Sequence, residues 1–199
     1  VRAAPPVMDI ATAMMVSNAI LGALMARERQ GEGQFVEVAL FDTGVLMTGW
    51  ATMQHLITGL EPQRNGNTSP DTCPSGVFQA SDGPFCLSCG NDKIFQRLAL
   101  QVLERPDLAD DPVLRQRNGR IARRDQLFDT LNVAFAKHPW AHWEKRMRAA
   151  QVPCGPVRTV GEAIRSPEAR ARRLVTSIDH PQLGTVPNIA SPIRYARTP

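Results

Sequence analysis

Apolar residues recur with helical spacing near the start of the chain. Within residues 10–25 they fall three and four positions apart, which predicts one long apolar helix running to about Arg29. Asp9 directly precedes this run, and aspartate is among the preferred helix N-caps. Gly31 follows it, and glycine readily adopts the left-handed conformation that ends a helix. The sequence therefore predicts a helix capped by Asp9 and ended at Gly31.

The pattern then changes twice before residue 75. Residues 34–40 alternate in part and are rich in β-branched and aromatic side chains, which predicts a short strand. Residues 42–57 are apolar again and predict a second helix. Residues 59–74 are rich in Gly, Pro, Asn and Ser, which predicts a long loop. Long loops in compact domains are often functional.

The remaining residues mix strands with amphipathic helices. Residues 77–80 and 84–88, separated by a Ser-Asp-Gly turn, predict a β-hairpin. Residues 105–118 look irregular, and residues from Leu174 onward predict strands broken by turns. Four further segments predict helices: residues 91–103, 124–136, 140–150 and 159–165.

These elements predict an α/β fold in two regions. Residues 1–58 form a helix–strand–helix unit of a layered α/β domain, and residues 75–199 form a smaller α+β domain. Residues 59–74 then serve as the linker or as an active-site loop.

Composition supports a globular, soluble protein. Hydrophobic residues make up 43% and charged residues 21% of the 199 positions. The most apolar stretch, residues 10–25, is interrupted by Thr12 and Ser17 and falls short of the roughly 18 residues of a membrane span. Four irregularly spaced cysteines indicate reduced thiols and predict a cytoplasmic protein. The net charge of +4 is compatible with an anionic ligand and indicates no nucleic-acid partner.

Three further patterns resemble metal or ligand sites, but a structural or surface role explains each of them better. Cys86 and Cys89 have the spacing of metal ligands, but residues three apart in a strand point to opposite faces, so we expect no metal site. His138 and His142 are separated by Pro139, which places His138 before its helix. The basic residues in 115–124 and 170–173 are flanked by acidic ones, which predicts solvated helix faces.

Asp9 permits two interpretations. Aspartate at this place is most simply a helix cap. Its neighbours Val7, Met8 and Ile10 are apolar, however, and poor solvation raises the pKa and the nucleophilicity of a carboxylate, while a helix N-terminus opposes that rise. The residues alone leave both interpretations open.

A set of motifs, in order along nearly the whole chain, resembles the class III CoA-transferases, which include formyl-CoA and carnitine transferases and are related to the α-methylacyl-CoA racemases. Ala13 stands where glycine is common in the family. The motifs are Val7-Met-Asp-Ile-Ala-Thr12, Ala26-Arg-Glu-Arg29, Gly31-Glu-Gly-Gln-Phe-Val-Glu-Val-Ala-Leu-Phe-Asp42, Arg64-Asn-Gly-Asn67, Ser75-Gly-Val-Phe78, Ser81-Asp-Gly83, Cys89-Gly-Asn-Asp92, Val152-Pro-Cys-Gly-Pro-Val157 and Ser191-Pro-Ile-Arg194.

The resemblance implies the C-terminal half of a longer chain. Residues 1–58 would be the C-terminal portion of a Rossmann-like, coenzyme A-binding domain with its central helices. Residues 75–199 would be the small domain with its return segment. Members of the family form interlocked homodimers, so we expect one here. Intact-mass analysis of the natural protein would test whether the chain continues beyond Val1 and Pro199.

The resemblance also implies a mechanism and its residues. Asp9 would be the covalent nucleophile, and Leu40 would border the acyl pocket. Asn65, Gly66 and Asn67 would bind substrate as a lid over the site, although a plain surface connector is the alternative. The substrates would be an acyl-CoA and a small carboxylic acid, with no permanently bound cofactor, no metal, and no nucleic-acid or membrane partner.

Two rival functions remain open at this stage. In a 2-methylacyl-CoA racemase, Asp9 would act as an acid or base at the α-carbon, and solvent deuterium would enter the substrate. In a non-catalytic interaction module with a basic face, Asp9→Asn would change nothing. Binding to a polyanion would then be salt-sensitive.

Overall fold

The computed structural model describes residues 5–197, which fall into two compact units that divide between Arg64 and Asn65. This division lies inside the segment 59–74 that was predicted as a linker. The outer ends of the predicted domains, residues 1–4 and 198–199, lie outside the described residues.

Helix α1 (Val7–Gln30) opens the first unit and begins earlier than predicted. Its N-cap is Pro6, and Asp9 is the third residue of the helix rather than its cap. Proline suits the start of a helix because the first N–H groups have no intrahelical partner to lose. The predicted end is confirmed, since Gly31 has a φ of 82° and its N–H donates to the carbonyl of Arg27 over 2.8 Å.

The hydroxyl groups of Thr12 and Ser17 in α1 form hydrogen bonds to carbonyls of the same helix. The Thr12 hydroxyl donates to the carbonyl of Met8 over 2.7 Å, and that of Ser17 donates to the carbonyl of Ala13 over 3.0 Å. By length and composition alone, α1 is therefore long enough and apolar enough to cross a membrane, contrary to the shorter run counted in the sequence. Core helices of soluble proteins and signal sequences meet the same criterion.

The strand predicted at residues 34–40 is wrong. Residues 32–39 carry no strand, because a strand needs a hydrogen-bonded neighbour and none of the strand pairs among residues 5–197 includes this segment. Helix α2 (Leu40–Thr58) follows, two residues earlier than predicted, and ends at Gly59 with a φ of 70°. Gly49 kinks it with a φ of 44°, a conformation that glycine adopts at little cost.

The second unit contains a three-stranded antiparallel sheet in the order β1 (Ser75–Ala80), β2 (Gly83–Ser88) and β3 (Cys154–Pro156). The predicted hairpin is confirmed, with Ala80 paired to Gly83 across a two-residue turn. A separate hairpin, β4 (Val175–His180) with β5 (Gly184–Ile189), confirms the strands predicted for the tail.

Most of the chain between β2 and β4 is helical. Asn91 caps α3, accepting a hydrogen bond from the N–H of Ile94 over 3.0 Å, and α3 continues as a π-helical turn, Leu98–Val102. The segment predicted as irregular is partly helical, because Pro106 is a suitable first helical residue. The helices are α3 (Asp92–Arg97), α4 (Pro106–Asp110), α5 (Arg117–Ala122), α6 (Arg124–Phe135), α7 (Trp140–Ala149), α8 (Val160–Arg165) and α9 (Pro167–Ala171).

An aromatic cluster fills the core of the second unit. Phe135 of α6 meets Phe78 and Phe85 of the sheet edge-on, with ring centroids 5.5 and 5.0 Å apart, and Trp143 of α7 edge-on at 5.2 Å. These geometries are favourable for aromatic pairs. Every member of the main buried cluster lies between Cys73 and Val152, so the hydrophobic core belongs to the second unit.

One fully buried arginine joins three segments of this unit. The Arg120 guanidinium donates to the carbonyls of Cys73 over 2.6 Å and Leu114 over 2.8 Å, and to the Asp92 carboxylate over 2.7 Å. Its cation also lies 4.6 Å from the centre of the Phe95 ring. The solvated face predicted for residues 115–124 is therefore wrong at Arg120, whose charge is satisfied inside the protein.

The cysteines differ sharply in their surroundings. Cys86 is exposed on β2, whereas Cys89, just beyond the strand, is 1% exposed. Loss of solvation on burial raises the pKa of the Cys89 thiol to about 12 and also raises that of Cys73. The two members of the Cys-x-x-Cys pair thus lie in different environments, as expected for a strand and not for a metal site.

We expect thiol reagents to distinguish these cysteines. At mildly alkaline pH, Cys86 should be alkylated first because it is exposed, while Cys89 stays protonated and shielded until the protein unfolds. Peptide mapping after timed iodoacetamide labelling would measure this order. Equal rates at Cys86 and Cys89 in the native protein would contradict the structure.

Candidate active site

Asp9 lies exposed in the first turn of α1. Its position is the third of the helix, where the leading backbone N–H groups have no carbonyl one turn earlier to bond. Its side chain does not cap the helix, so the carboxylate is available to other groups. The positive end of the helix favours a negative charge at this place.

The start of α2 lies next to the start of α1. A Cβ atom placed on Gly44 would lie 3.5 Å from the sulfur of Met8, the residue before Asp9. Leu40, the first residue of α2, lies one turn before Gly44 and is 51% exposed. The structure therefore brings the helix ends that carry Asp9 and Leu40 into the same part of the first unit.

An open cavity of about 520 Å³ lies between α1 and α2 in this unit. Met15 and Leu46 supply apolar walls, and Asn18, Asp42 and Thr43 supply polar atoms. Thr43 is 3% exposed, and its hydroxyl donates to the carbonyl of Ala39 over 3.1 Å. This mixture of apolar walls with a few polar groups is typical of sites for small organic ligands.

The residues 65–67 form a fixed turn in the second unit. Gly66 has a φ of 58°, and the N–H and hydroxyl of Thr68 donate to the carbonyl of Asn65 over 3.0 and 2.7 Å. The carbonyl of Asn67 accepts from the N–H of Val77, at 3.2 Å, in β1. Gly66 is needed here because a side chain is strained at this positive φ.

Helix α6 anchors this turn. The Arg124 guanidinium donates to the hydroxyl of Thr68 over 2.9 Å and to the carbonyl of Pro70 over 3.0 Å. A Cβ atom on Gly76 would lie 2.7 Å from the carbonyl oxygen of Asn67 and 3.2 Å from the Phe128 ring, so only glycine fits. Sequence reasoning missed both Arg124, which it counted among solvated charges, and Gly76, which carries no local signal of its close contact.

Replacing Gly76 by alanine should therefore displace the turn. We expect Gly76→Ala to lower the free energy of unfolding by about 1–3 kcal/mol, the usual cost of overpacking. Urea denaturation would measure it. Gly90→Ala is the matched control, because nothing lies within 4 Å of a Cβ atom there. Equal stability of the two variants would contradict the close approach of Asn67 to β1.

The five residues predicted from the sequence thus divide between the two units. Asp9 and Leu40 lie at adjoining helix starts in the first unit, and Asn65, Gly66 and Asn67 form one turn in the second. Within residues 5–197, no three His, Cys, Asp or Glu side chains are arranged to hold a metal ion.

Comparison with known proteins places this geometry in a family. The model of CoA-transferase family III matches residues 1–199, and the chain therefore belongs to that family. Its relatives include the acetyl-CoA:oxalate CoA-transferase of Acetobacter aceti, which is 38% identical over 84% of this chain and 43% of its own. The succinate–glutarate CoA-transferase of Agrobacterium fabrum is 30% identical over 100% of this chain and 49% of its own.

Solved structures agree with this assignment. A CAIB/BAIF family protein from Brucella suis has a TM-score of 0.79 and 31% identity, covering 99% of this chain and 50% of its own. The Mycobacterium tuberculosis protein Rv3272, in its orthorhombic form, has a TM-score of 0.84 and 25% identity, covering 98% of this chain and 50% of its own. The predicted α/β fold class is confirmed. The chain spans about half the length of the relatives it matches.

Proposed function

We propose that the protein containing this chain transfers coenzyme A from an acyl-CoA to a small carboxylic acid. The observation that carries the proposal is the match of the whole chain to CoA-transferase family III. The relatives described above are named as transferases acting on oxalate, succinate or glutarate. We therefore expect short dicarboxylates among the substrates, with the CoA thioester itself a substrate and no permanently bound cofactor.

Asp9 is the nucleophile in this proposal. One oxygen of its carboxylate attacks the thioester carbonyl of the donor, the C–S bond breaks, and CoA leaves as the thiolate, giving a mixed anhydride. The thiolate then attacks the aspartyl carbonyl, the anhydride C–O bond breaks, and the donor acid leaves as a carboxylate. Asp9 now carries CoA as a thioester.

The acceptor repeats these steps in reverse. Its carboxylate attacks the aspartyl thioester and displaces the thiolate, which then attacks the acceptor carbonyl of the new anhydride. The product acyl-CoA leaves and the Asp9 carboxylate is restored. A carboxylate suits this exchange because its anhydride and thioester are comparably reactive, so that no step is strongly uphill.

The position of Asp9 supports this role. It is exposed, so a substrate can reach it, and it lies in the first helical turn, whose backbone N–H groups favour negative charge. Such groups can also stabilise the oxyanion that forms at each attack. Leu40 would contact the acyl group from the adjoining start of α2.

The sequence predicted the Asn65–Asn67 turn as a lid over the site, and the proposal keeps its role in binding substrate but not its movement as a lid. Its hydrogen bonds to Thr68 and β1, and its anchoring by Arg124, favour a rigid turn rather than a mobile lid. An interlocked homodimer and a cytoplasmic location, both implied by the resemblance or by composition, remain part of the proposal. No observation favours the racemase or the non-catalytic module.

Trapping the covalent intermediate tests the nucleophile. The full-length protein is incubated with acyl-CoA, treated with hydroxylamine, and mapped by mass spectrometry. We expect a hydroxamate at Asp9 only when acyl-CoA is present, and none at Asp42, the third residue of α2, which serves as an internal control. An unmodified Asp9 in an enzyme that turns over under the same conditions would end the proposal.

A further inference from the structure

A small pocket of about 180 Å³ lies in the second unit, apart from the residues assigned to transfer. The end of the π-helical turn, the end of α6 and the first half of α7 enclose it. The basic side chains that line it are Arg105, Lys137, His138, His142 and Arg146, and Glu104 is the acidic residue among the lining groups.

Two histidines form the centre of this pocket. The rings of His138 and His142 stack with their centroids 4.1 Å apart and an angle of 22° between their planes. Trp143 supports both rings edge-on, at 5.5 and 4.8 Å. Its indole N–H also donates to the carbonyl of His138 over 3.1 Å, so the ring pair is held by the fold.

The charges around the pair do not cancel. Arg146 bonds to Glu104 over 2.6 Å, and Arg105 bonds to Asp107 of α4 over 2.6 Å. The Lys137 ammonium group and the ring nitrogens of both histidines have no hydrogen-bond partner within residues 5–197. The Nε atom of Arg146 is buried, also without a partner in that range. Basic groups therefore outnumber the one acidic group, Glu104, among the residues that line the pocket.

We propose that this pocket binds a tetrahedral oxyanion of the phosphate class, between the His138–His142 pair, Lys137 and Arg146. Charge-assisted hydrogen bonds from several directions suit an ion with oxygens on all sides better than a planar carboxylate. The residues that line the pocket include none of those assigned to transfer.

Protonation of His142 should be coupled to binding. Desolvation, the neighbouring His138 and Arg146 lower the pKa of His142, while Glu104 acts weakly in the opposite direction. A bound dianion would offset these effects and favour the charged His142 ring, so the complex takes up a proton. Affinity should therefore be higher near pH 6 than near pH 8, on either side of the usual histidine range.

Isothermal titration of the full-length protein with sulfate tests the site, because sulfate stays a dianion across this range. We expect saturable binding that weakens from about pH 6 to about pH 8, with proton uptake seen as a dependence of the heat on buffer. Inorganic phosphate and phenyl phosphate, titrated in parallel, distinguish a site for the free ion from one for the end of an ester.

Variants decide whether the pocket is responsible. Lys137→Met should weaken sulfate binding about fivefold, the effect of one partly exposed charge contact. Lys145→Met is the matched control, since Lys145 is exposed on α7 and does not line the pocket, and it should leave binding unchanged. His142→Gln should abolish the proton uptake, with circular dichroism verifying the fold. Equal weakening by both lysine variants, or no saturable binding by the wild type, would overturn the proposal.

Discussion

Asp9→Asn should reduce kcat for CoA transfer by about a thousandfold or more in the full-length enzyme, as losses of covalent nucleophiles do. An amide occupies nearly the same volume as the carboxylate but cannot attack the thioester or carry CoA. KM should change little, because Asp9 contributes to the steps after binding. Steady-state kinetics with an acyl-CoA donor and a dicarboxylate acceptor would measure both constants.

Asp125→Asn provides a matched control. Asp125, like Asp9, is exposed in the first turn of a helix, and it lines no part of the candidate site. Both variants therefore lose a charge at a helix N-terminus, but only one removes the proposed nucleophile. If Asp9→Asn kept more than about a tenth of the activity, or if both variants lost activity equally, Asp9 would not be the nucleophile.

Arg120→Met should lower the free energy of unfolding by about 3–5 kcal/mol, the range found when one partner of a buried charged network is removed. The variant keeps much of the packing volume but leaves the carbonyls of Cys73 and Leu114 without their buried donor. The Asp92 carboxylate loses its ion pair as well. Denaturant unfolding followed by circular dichroism would measure the change.

Two further variants separate charge from geometry at this position. Arg120→Lys should recover little of the loss, because one ammonium group cannot reach acceptors on three segments as the planar guanidinium does. Arg117→Met, on the exposed face of the same helix, should change stability by no more than about 0.5 kcal/mol. Stability of Arg120→Met within that same range would show that the buried network is dispensable.

The sequence predicted the local elements well because their signals are local. The hairpin around Ser81 and Asp82, the cap at Asn91 and the start of α8 at Thr159 all depend on residues within a few positions of each other. The strand predicted at residues 34–40 is wrong for the opposite reason. Their composition favours a strand, but strand formation is decided by a partner segment elsewhere in the chain.

The candidate site likewise contains residues with a local sequence signal, whereas other important residues depend on distant segments. Asp9 and the Asn65–Asn67 turn lie in recognisable motifs, and Gly66 follows from its local turn. Arg120 and Arg124 carry no comparable signal, since burial and long-range bonding depend on α5 and α6 packing against a loop about fifty residues earlier. The sequence shows a charge cluster there, and only the fold distinguishes the buried arginine from its solvated neighbours.

The concentration of the core between Cys73 and Val152 also has a practical consequence for producing the protein. A gene fragment started at Asn65 would retain every residue of that cluster and omit α1 and α2, whose large apolar side chains are mostly exposed. Recombinant yield should therefore be better for the shorter fragment than for residues 1–199. The shorter fragment is also the better starting point for isotope labelling and spectroscopy.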